Sequence, residues 1–314
     1  MITCLDDPTA DLVLTELHGR GVPVVRFDPG VDFPGEITLD AFFDGTGLKG
    51  SIDTPSRHLN LANVGAVYWR QPTLYRPSPE LDQHAASWVA DQSRFGLGGV
   101  LASLPSTFYL NHPFRNRDAE HKPLQLATAA ACGLTVPHTL VTNRLDSART
   151  FASQINETVF KPLWSTPYQA DDGEALTIWA HVIDPDALDE GIAAAAHLFQ
   201  EKVDKVADVR VTMVGERAFP VRIDGAPALD WRLDYRSLSY QPIEAPTAIV
   251  KGMHTYLDTL GLVFGAFDFC LTGAGEFVFL ECNPNGQWAW FDEPITKQIA
   301  GAIADELTCA KGLS

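Results

Sequence analysis

The sequence predicts an α/β protein organised as α+β lobes, and three observations carry that expectation. The first is a strand–helix–strand run at the N-terminus, which favours a parallel pair. The second is a pair of hairpin signatures: Val209–Val214 with Ala218–Ile223 across Gly215-Glu216, and Leu262–Leu271 with Phe277–Cys282 across a Gly-containing turn. The third is length. The chain's 314 residues can build two or three domains with real cores.

Composition narrows the class. A hydrophobic content of 46% with 20% charged residues describes a globular chain, not a disordered one. The net charge of −17, from 40 acidic against 23 basic residues, argues against nucleic acid as a partner. Five scattered cysteines form no CxxC pair, so they read as small core residues in a reducing cytoplasm. The N-terminus has no basic and apolar signal regions, and no long apolar run predicts a membrane span.

In chain order, Ile2–Leu5 reads as a strand, and Asp7-Pro8 as an N-cap followed by a first-turn proline. A helix then runs through Leu12, Val13, Glu16 and Leu17 to Gly19, and Val22–Phe27 reads as the next strand. Glycine-divided β segments occupy Phe42–Ile52, and Val64–Trp69 is a further strand. Arg70 follows its C-terminal end, where open α/β sheets place ligand contacts; an exposed arginine beside a loop fits equally well. A helix at Gln83–Leu104 and a strand at Phe108–Leu110 close this part.

The polar run from Asn111 leads into an Ala-rich helix that Gly133 caps. Residues 134–143 read as a strand, Ser147–Ile155 as a helix, and Val159–Leu163 as a strand carrying Lys161. A lysine in such a strand needs a negative partner, either phosphate or carboxylate. The loop from Trp164 to Gly173 offers Ser165, Thr166 and Gly173 as phosphate-facing donors, and Thr177–Val182 is β-like. Asp184-Pro185 predicts a helix through Leu188 and Ile192 towards Phe199. In the hairpin that follows, the tightest register puts Arg210 and Arg222 on opposite faces, whereas a one-residue bulge puts them on one side. A helix with Ile249, Met253, Tyr256, Leu257 and Leu260 at helical spacing ends at Gly261. A last helix from Pro294 presents Ile295, Ile299, Ile303 and Leu307 on one face.

The densest chemistry lies in AFDFCLTGAGEFVFLECNPNGQW, which begins at Ala266. A turn centred between Ala274 and Gly275 sets Asp268 across from Glu281, and Asn283 lies two residues further along the same face. The opposite face carries Phe267, Phe269, Leu271, Val278, Leu280 and Cys282. Three oxygen donors on so apolar a strand pair suit Mg²⁺ held against substrate phosphates. The common nucleotide, hydrolase and metalloprotease signatures are absent.

HKP with Lys122, VFKPL with Lys161, FQEKV with Glu201, DVRV with Asp208 and Arg210, then FDF and LECNPNGQW follow one another in the order of an ATP-grasp ligase, which the chain resembles. The N-terminal DPTADLVLTELHGRGVPVVRFDPGVDFPG and YWRQP resemble the microviridin-type (graspetide) branch, which macrocyclises ribosomally made peptides. The resemblance implies an ATP-grasp fold with a pre-grasp α/β domain at 1–112, a central lobe at 113–203 on the adenine side, and a C-terminal lobe at 204–314 on the Mg²⁺ and substrate side. It implies that Lys122 and Lys161 meet the ATP phosphates. By the same resemblance, Glu201 would accept from the adenine amino group, with Lys202 and Val203 supplying the hinge backbone. Asp208 would take the ribose contact, and Asp268, Glu281 and Asn283 would hold Mg²⁺. Arg210, Arg222 and Arg232 resemble arginines that face the γ-phosphate and the acyl-phosphate.

The implied reaction activates Asp or Glu side chains of a precursor peptide as acyl-phosphates. Ser/Thr hydroxyls or Lys amines then capture them as ω-esters or ω-amides. The implied partner is that precursor, with a leader and a core rich in Thr/Ser and Asp/Glu; a homodimer is compatible with the family. An ATP-grasp ligase that adds a free amino acid or small amine, and a non-catalytic ATP- or peptide-binding module, are the competing readings. The loop WSTPYQADDG departs from the glycine-rich loop of many ATP-grasp enzymes.

Overall fold

The computed structural model describes residues 1–164, 168–169, 175–225, 229–231 and 235–309. Helix α1 (Pro8–Gly19) starts where the Asp7 carboxylate accepts from the Ala10 N–H, with Pro8 in the first turn. A short helix α2 (Pro29–Asp32) precedes an antiparallel sheet of β1 (Thr38–Asp44), β2 (Gly47–Asp53) and β3 (His58–Asn60). Strands β4 (Ala66–Tyr68) and β5 (Phe108–Leu110) pair in parallel, with α3 (Gln83–Leu101) between them. The segments expected as strands at Ile2–Leu5 and Val22–Phe27 shrink to single parallel bridges, Ile2 to Phe27 and Ile2 to Trp69. The expected parallel arrangement is kept.

Helices α4 (Pro113–Ala119) and α5 (Lys122–Ala131) lead to an antiparallel sheet in the order β10-β7-β11-β6. Its strands are β6 (Thr139–Thr142), β7 (Thr158–Lys161), β10 (His181–Val182) and β11 (His197–Glu201), with α6 (Leu145–Gln154) after β6. A two-stranded ribbon, β8 (Tyr168–Gln169) with β9 (Ala175–Leu176), precedes β10. The helix expected from Asp184 towards Phe199 does not form. Pro185–Ala187 and Glu190–Ala194 are separate 3₁₀ turns, and Phe199 belongs to β11. The Asp184 and Asp189 carboxylates accept from the Asp186 and Gly191 N–H groups. Such local bonds compete with a helical ladder, and β11 is drawn into the middle of the sheet between β6 and β7.

The last third forms a five-stranded antiparallel sheet, β14-β13-β12-β15-β16. Its strands are β12 (Lys205–Val214), β13 (Arg217–Asp224), β14 (Ser239–Pro242), β15 (Phe264–Thr272) and β16 (Phe277–Asn283). Helix α7 (Thr247–Leu260) stops at Gly261, whose φ of 65° supplies the left-handed cap. Its Met253, Tyr256 and Leu257 pack on Val209, Val211, Phe267 and Phe279. Helix α8 (Glu293–Cys309) buries Ile295, Ile299 and Ile303 against Val13 and Leu17 of α1, so the first and last helices share one core.

The β15–β16 register departs from strict alternation. Asp268 pairs with Glu281 as expected, but Phe269 pairs with Phe279, leaving Leu280 as an extra residue. This bulge corrects the expected apolar face: Phe277 and Phe279 enter the core, while Leu280 turns to the ligand side. Among the described residues, no helix is long and apolar enough to cross a membrane.

Candidate active site

Three neighbouring strands bring the central charges together. Arg210 on β12 is the direct partner of Asp268 on β15, which is in turn the partner of Glu281 on β16. Arg210 Nη1 donates to Asp268 Oδ1 and Oδ2 at 2.9 and 2.8 Å, and Nη2 to the Gln287 carbonyl at 3.2 Å. Lys122 Nζ, from the first turn of α5, donates to Glu281 Oε2 at 2.8 Å. Asn283 Nδ2 sits 3.4 Å from both Asp268 Oδ2 and Glu281 Oε1. Facing carboxylates repel unless cations lie between or beside them, and Arg210 and Lys122 fill that role.

This donor set fits Mg²⁺. Two carboxylates and an amide converge, and rotating the Asn283 amide presents its oxygen in place of its nitrogen. Among the described residues no group of three or more His, Cys, Asp and Glu side chains forms a metal cage. Magnesium takes one or two carboxylates and completes its shell with phosphate oxygens and water, so no such cage is required.

A cavity of about 320 Å³ opens between the four-stranded and five-stranded sheets. It is lined by Lys122, Lys161, Glu201, Lys202, Val203, Asp208, Asp268 and Glu281, all singled out from the sequence. Lys161 keeps partial access to the cavity, but the protein around it depresses its ammonium pKa, a shift that the Glu281 charge partly opposes. Burial raises the Asp208 carboxyl pKa against the pull of Lys205, whose Nζ lies 2.8 and 2.7 Å from its two oxygens. The Glu201 carboxylate meets His138 Nδ1 at 2.8 Å, and the Glu201 N–H donates to the His138 carbonyl. Lys202 Nζ meets Glu157 Oε2 at 2.5 Å.

A second cavity of about 410 Å³ adjoins the first, and Lys122, Trp231 and Glu281 belong to both. Its wall combines Arg210 and Asn283 with Gln71, Gln287 and the indoles of Trp164 and Trp290. The Trp231 and Trp290 rings lie 5.0 Å apart. A cavity suited to nucleotide phosphates therefore abuts a broader one of amide and aromatic character, with the cation–carboxylate cluster at their junction.

Residues 1–117 match the family model described as the MvdD pre-ATP grasp domain. Among solved structures, the chain is similar to macrocyclase MdnC bound with precursor peptide MdnA, from Microcystis aeruginosa MRC. The two are 29% identical, with a TM-score of 0.87, over 98% of each chain. It is also similar to a Chryseobacterium gregarium RiPP-associated ATP-grasp ligase in complex with ADP and a leader and core peptide. That match has 25% identity and a TM-score of 0.89, over 99% of this chain and 96% of the other. Macrocyclase MdnB from the same Microcystis strain matches at 27% identity and a TM-score of 0.79, over 98% of this chain and 97% of that one. The chain is an ATP-grasp ligase. No curated protein matches its sequence.

Not every expected residue reaches the ligase's site. Arg222 is a correction: Val209 pairs with Arg222 and Arg210 with Val221 without a bulge, so the two arginines point to opposite faces. Arg222 instead forks onto Asp224, Nε to Oδ2 at 2.8 Å and Nη2 to Oδ1 at 2.7 Å, and lines neither cavity. Arg232 lies outside the described residues, as do Ser165, Thr166 and Gly173.

Arg70 is not an exposed loop residue, and it is not among the residues lining the two cavities. It is 2% exposed, and its Nε donates to Asp7 Oδ2 at 2.7 Å. Its Nη2 donates to Gln287 Oε1 at 2.6 Å, and Thr9 Oγ1 donates to the same oxygen. The ligase's first segment thus grips the loop that follows Asn283. Three further residues escaped the sequence reading. Asn111, at φ 57°, accepts from the Val263 and Phe264 N–H groups and donates to the Phe264 and Pro284 carbonyls. Gln125 donates to the carbonyls of Ala119 and Cys282 and accepts from the Cys282 N–H. Asn116 donates to Asn285 Oδ1. An isolated Asn or Gln carries no periodic signal; for Asn111 and Asn116 the polar density of Asn111–Pro123 was the one available hint, and Gln125 lies beyond it.

Proposed function

We propose that the ligase is a peptide macrocyclase, activating Asp or Glu side chains of a ribosomally made precursor as acyl-phosphates and closing rings with Ser/Thr hydroxyls or Lys amines. The observation that carries this reading is the junction of the two cavities. Lys122, Lys161 and Arg210 meet Asp268, Glu281 and Asn283 where a nucleotide-sized space opens into a wider one. The similarity to MdnC and to the Chryseobacterium ligase, each solved with peptide, supports the same substrate class.

Two anions must approach in the first half-reaction, the peptide carboxylate and the γ-phosphate of ATP. Catalysis of such a transfer is chiefly positioning and charge neutralisation. Lys122 and Lys161 offer positive charge to the phosphates, and Glu201, Lys202, Val203 and Asp208 border the space for adenosine. Asp268, Glu281 and Asn283 would hold Mg²⁺, which supplies further neutralisation of the phosphate oxygens when bound. Arg210, fixed by Asp268 and the Gln287 carbonyl, faces the second cavity, where the peptide carboxylate arrives. The nucleophile of the second half-reaction comes from the peptide, so no nucleophilic enzyme side chain is needed.

The test is incubation with ATP, Mg²⁺ and a candidate precursor, a short peptide rich in Thr/Ser and Asp/Glu. Loss of one water and release of one ADP per ring is the expected result by mass spectrometry. A mass gain equal to an amino acid establishes the amino-acid-adding ligase instead. Peptide-independent ADP release that survives replacement of Asp268 and Glu281 removes both ligase readings.

A further inference from the structure

Ring closure needs a proton acceptor that the macrocyclase reading, on which this inference rests, has not yet supplied. A hydroxyl becomes a competent nucleophile only as it gives up its proton. Among the described residues, the charged side chains lining the second cavity are Glu120, Lys122, Arg210 and Glu281. The two cations have no free lone pair at neutral pH, and Glu281 is committed to Lys122 and Asn283.

Glu120 is different. It caps α4, is half-buried, and its carboxylate makes no hydrogen bond or ion pair among the described residues. Burial pushes its carboxyl above the ordinary glutamate range, opposed by neighbouring His121. The turn that carries it is tied to the catalytic strand. Gln125 Nε2 bridges the Ala119 carbonyl at 2.7 Å and the Cys282 carbonyl at 2.9 Å, between Glu281 and Asn283. A carboxylate with no cation partner among the described residues is thus fixed at the wall of the space where the acyl-phosphate is to be attacked.

We propose that Glu120 is the general base of ring closure. As the nucleophile's oxygen bonds to the acyl carbon, its proton passes to a Glu120 carboxylate oxygen. The bond from the acyl carbon to the phosphate oxygen breaks, and inorganic phosphate leaves with that electron pair. Water or phosphate then takes the proton and restores the carboxylate. A lysine nucleophile enters as the free amine and loses one proton by the same route.

The residue acts only in its ionised form, so closure slows as pH falls through its raised pKa. Lys122 from α5, Glu281 from β16 and Arg210 from β12 face the same cavity, and His121 adjoins it in sequence; their charges set where that fall occurs.

The experiment compares the full-length wild type with Glu120→Gln, using ATP, Mg²⁺ and a short candidate precursor peptide rich in Thr/Ser and Asp/Glu, with and without hydroxylamine. Hydroxylamine attacks acyl-phosphates as a free base and needs no enzymic proton acceptor. Glu120→Gln is expected to close rings about 10²–10⁴-fold more slowly. It keeps wild-type rates of ADP release and hydroxamate formation with hydroxylamine present, and its residual closure loses the acid limb of the pH profile. Glu120→Asp recovers part of the rate. Unchanged ring closure in Glu120→Gln, or a parallel loss of hydroxamate, overturns the assignment. A wild type that forms neither hydroxamate nor rings with this peptide overturns the macrocyclase reading itself.

Discussion

Lys161 shows how a single residue can be costly to the free protein and useful to the complex. Its ammonium is half-buried on β7, and burial lowers its pKa from the ordinary lysine value of 10.5. The unfolded chain therefore holds this proton more tightly than the folded one. The resulting cost to stability is fully present below the folded-state pKa and is relieved as pH rises towards 10.5. On the proposed reading, a bound triphosphate would offset the same cost by supplying further negative charge. Lys161→Met is therefore expected to raise the thermal midpoint of the ligand-free protein at neutral pH and to flatten its alkaline dependence. The same change raises the KM for ATP by at least about tenfold, the equivalent of 1.4 kcal/mol. Calorimetry and steady-state kinetics check the two halves separately, and a lowered midpoint in the free protein contradicts the account.

At the level of elements, the site is a set of short polar residues held by registers. The Asp268–Glu281 pairing was legible because a hairpin with a Gly-containing turn fixes which residues oppose one another. The bulge at Leu280 was not, because a run as uniformly apolar as FVFL fits either alternation. Arg222 shows the same limit in reverse: its side followed from the hairpin register, which the sequence left open between two choices. The helix expected after Asp184 failed because two Asx-closed turns satisfy the backbone locally. The loop after β16 adds a constraint that composition hides. A methyl group on Gly286 would overlap the Ala266 Cβ and lie 2.6 Å from Arg210 Nη2. Gly286→Ala is expected to cost about 1–3 kcal/mol as an overpacking change. Because relief comes by displacing Arg210 from Asp268, turnover should fall by more than tenfold, beyond what the unfolding curve explains. Denaturant titration together with single-turnover ADP release measures both.

Across the whole molecule, the N-terminal segment is part of the scaffold that holds the candidate site. Arg70 and Asp7 side chains are 1% and 0% exposed, and the arginine reaches the Gln287 amide oxygen, while the Gln287 carbonyl restrains Arg210. Arg70→Met leaves the Asp7 carboxylate buried without its cation, which costs about 3–5 kcal/mol. Replacing Asp7 with Asn in the same chain is expected to recover much of that stability and little of the activity, since Gln287 stays unanchored; unfolding midpoints beside ring-closure rates check this. The sequence pointed to both halves of this contact, Asp7 as a helix cap and Arg70 at a strand end. Nothing in it said that they meet, because pairing across 63 positions is a property of the assembled fold.

The two adjoining cavities share Lys122, Trp231 and Glu281, and this has an evolutionary consequence. On the macrocyclase reading, a change at any shared position would alter nucleotide and peptide handling together, so selection for a new peptide could not act there freely. Drift in substrate preference would be channelled to positions that belong to the second cavity alone and carry no charge, such as Leu163, Trp164 and Trp290. On that reading, the wall that reads the peptide can diversify while the wall that spends ATP stays fixed.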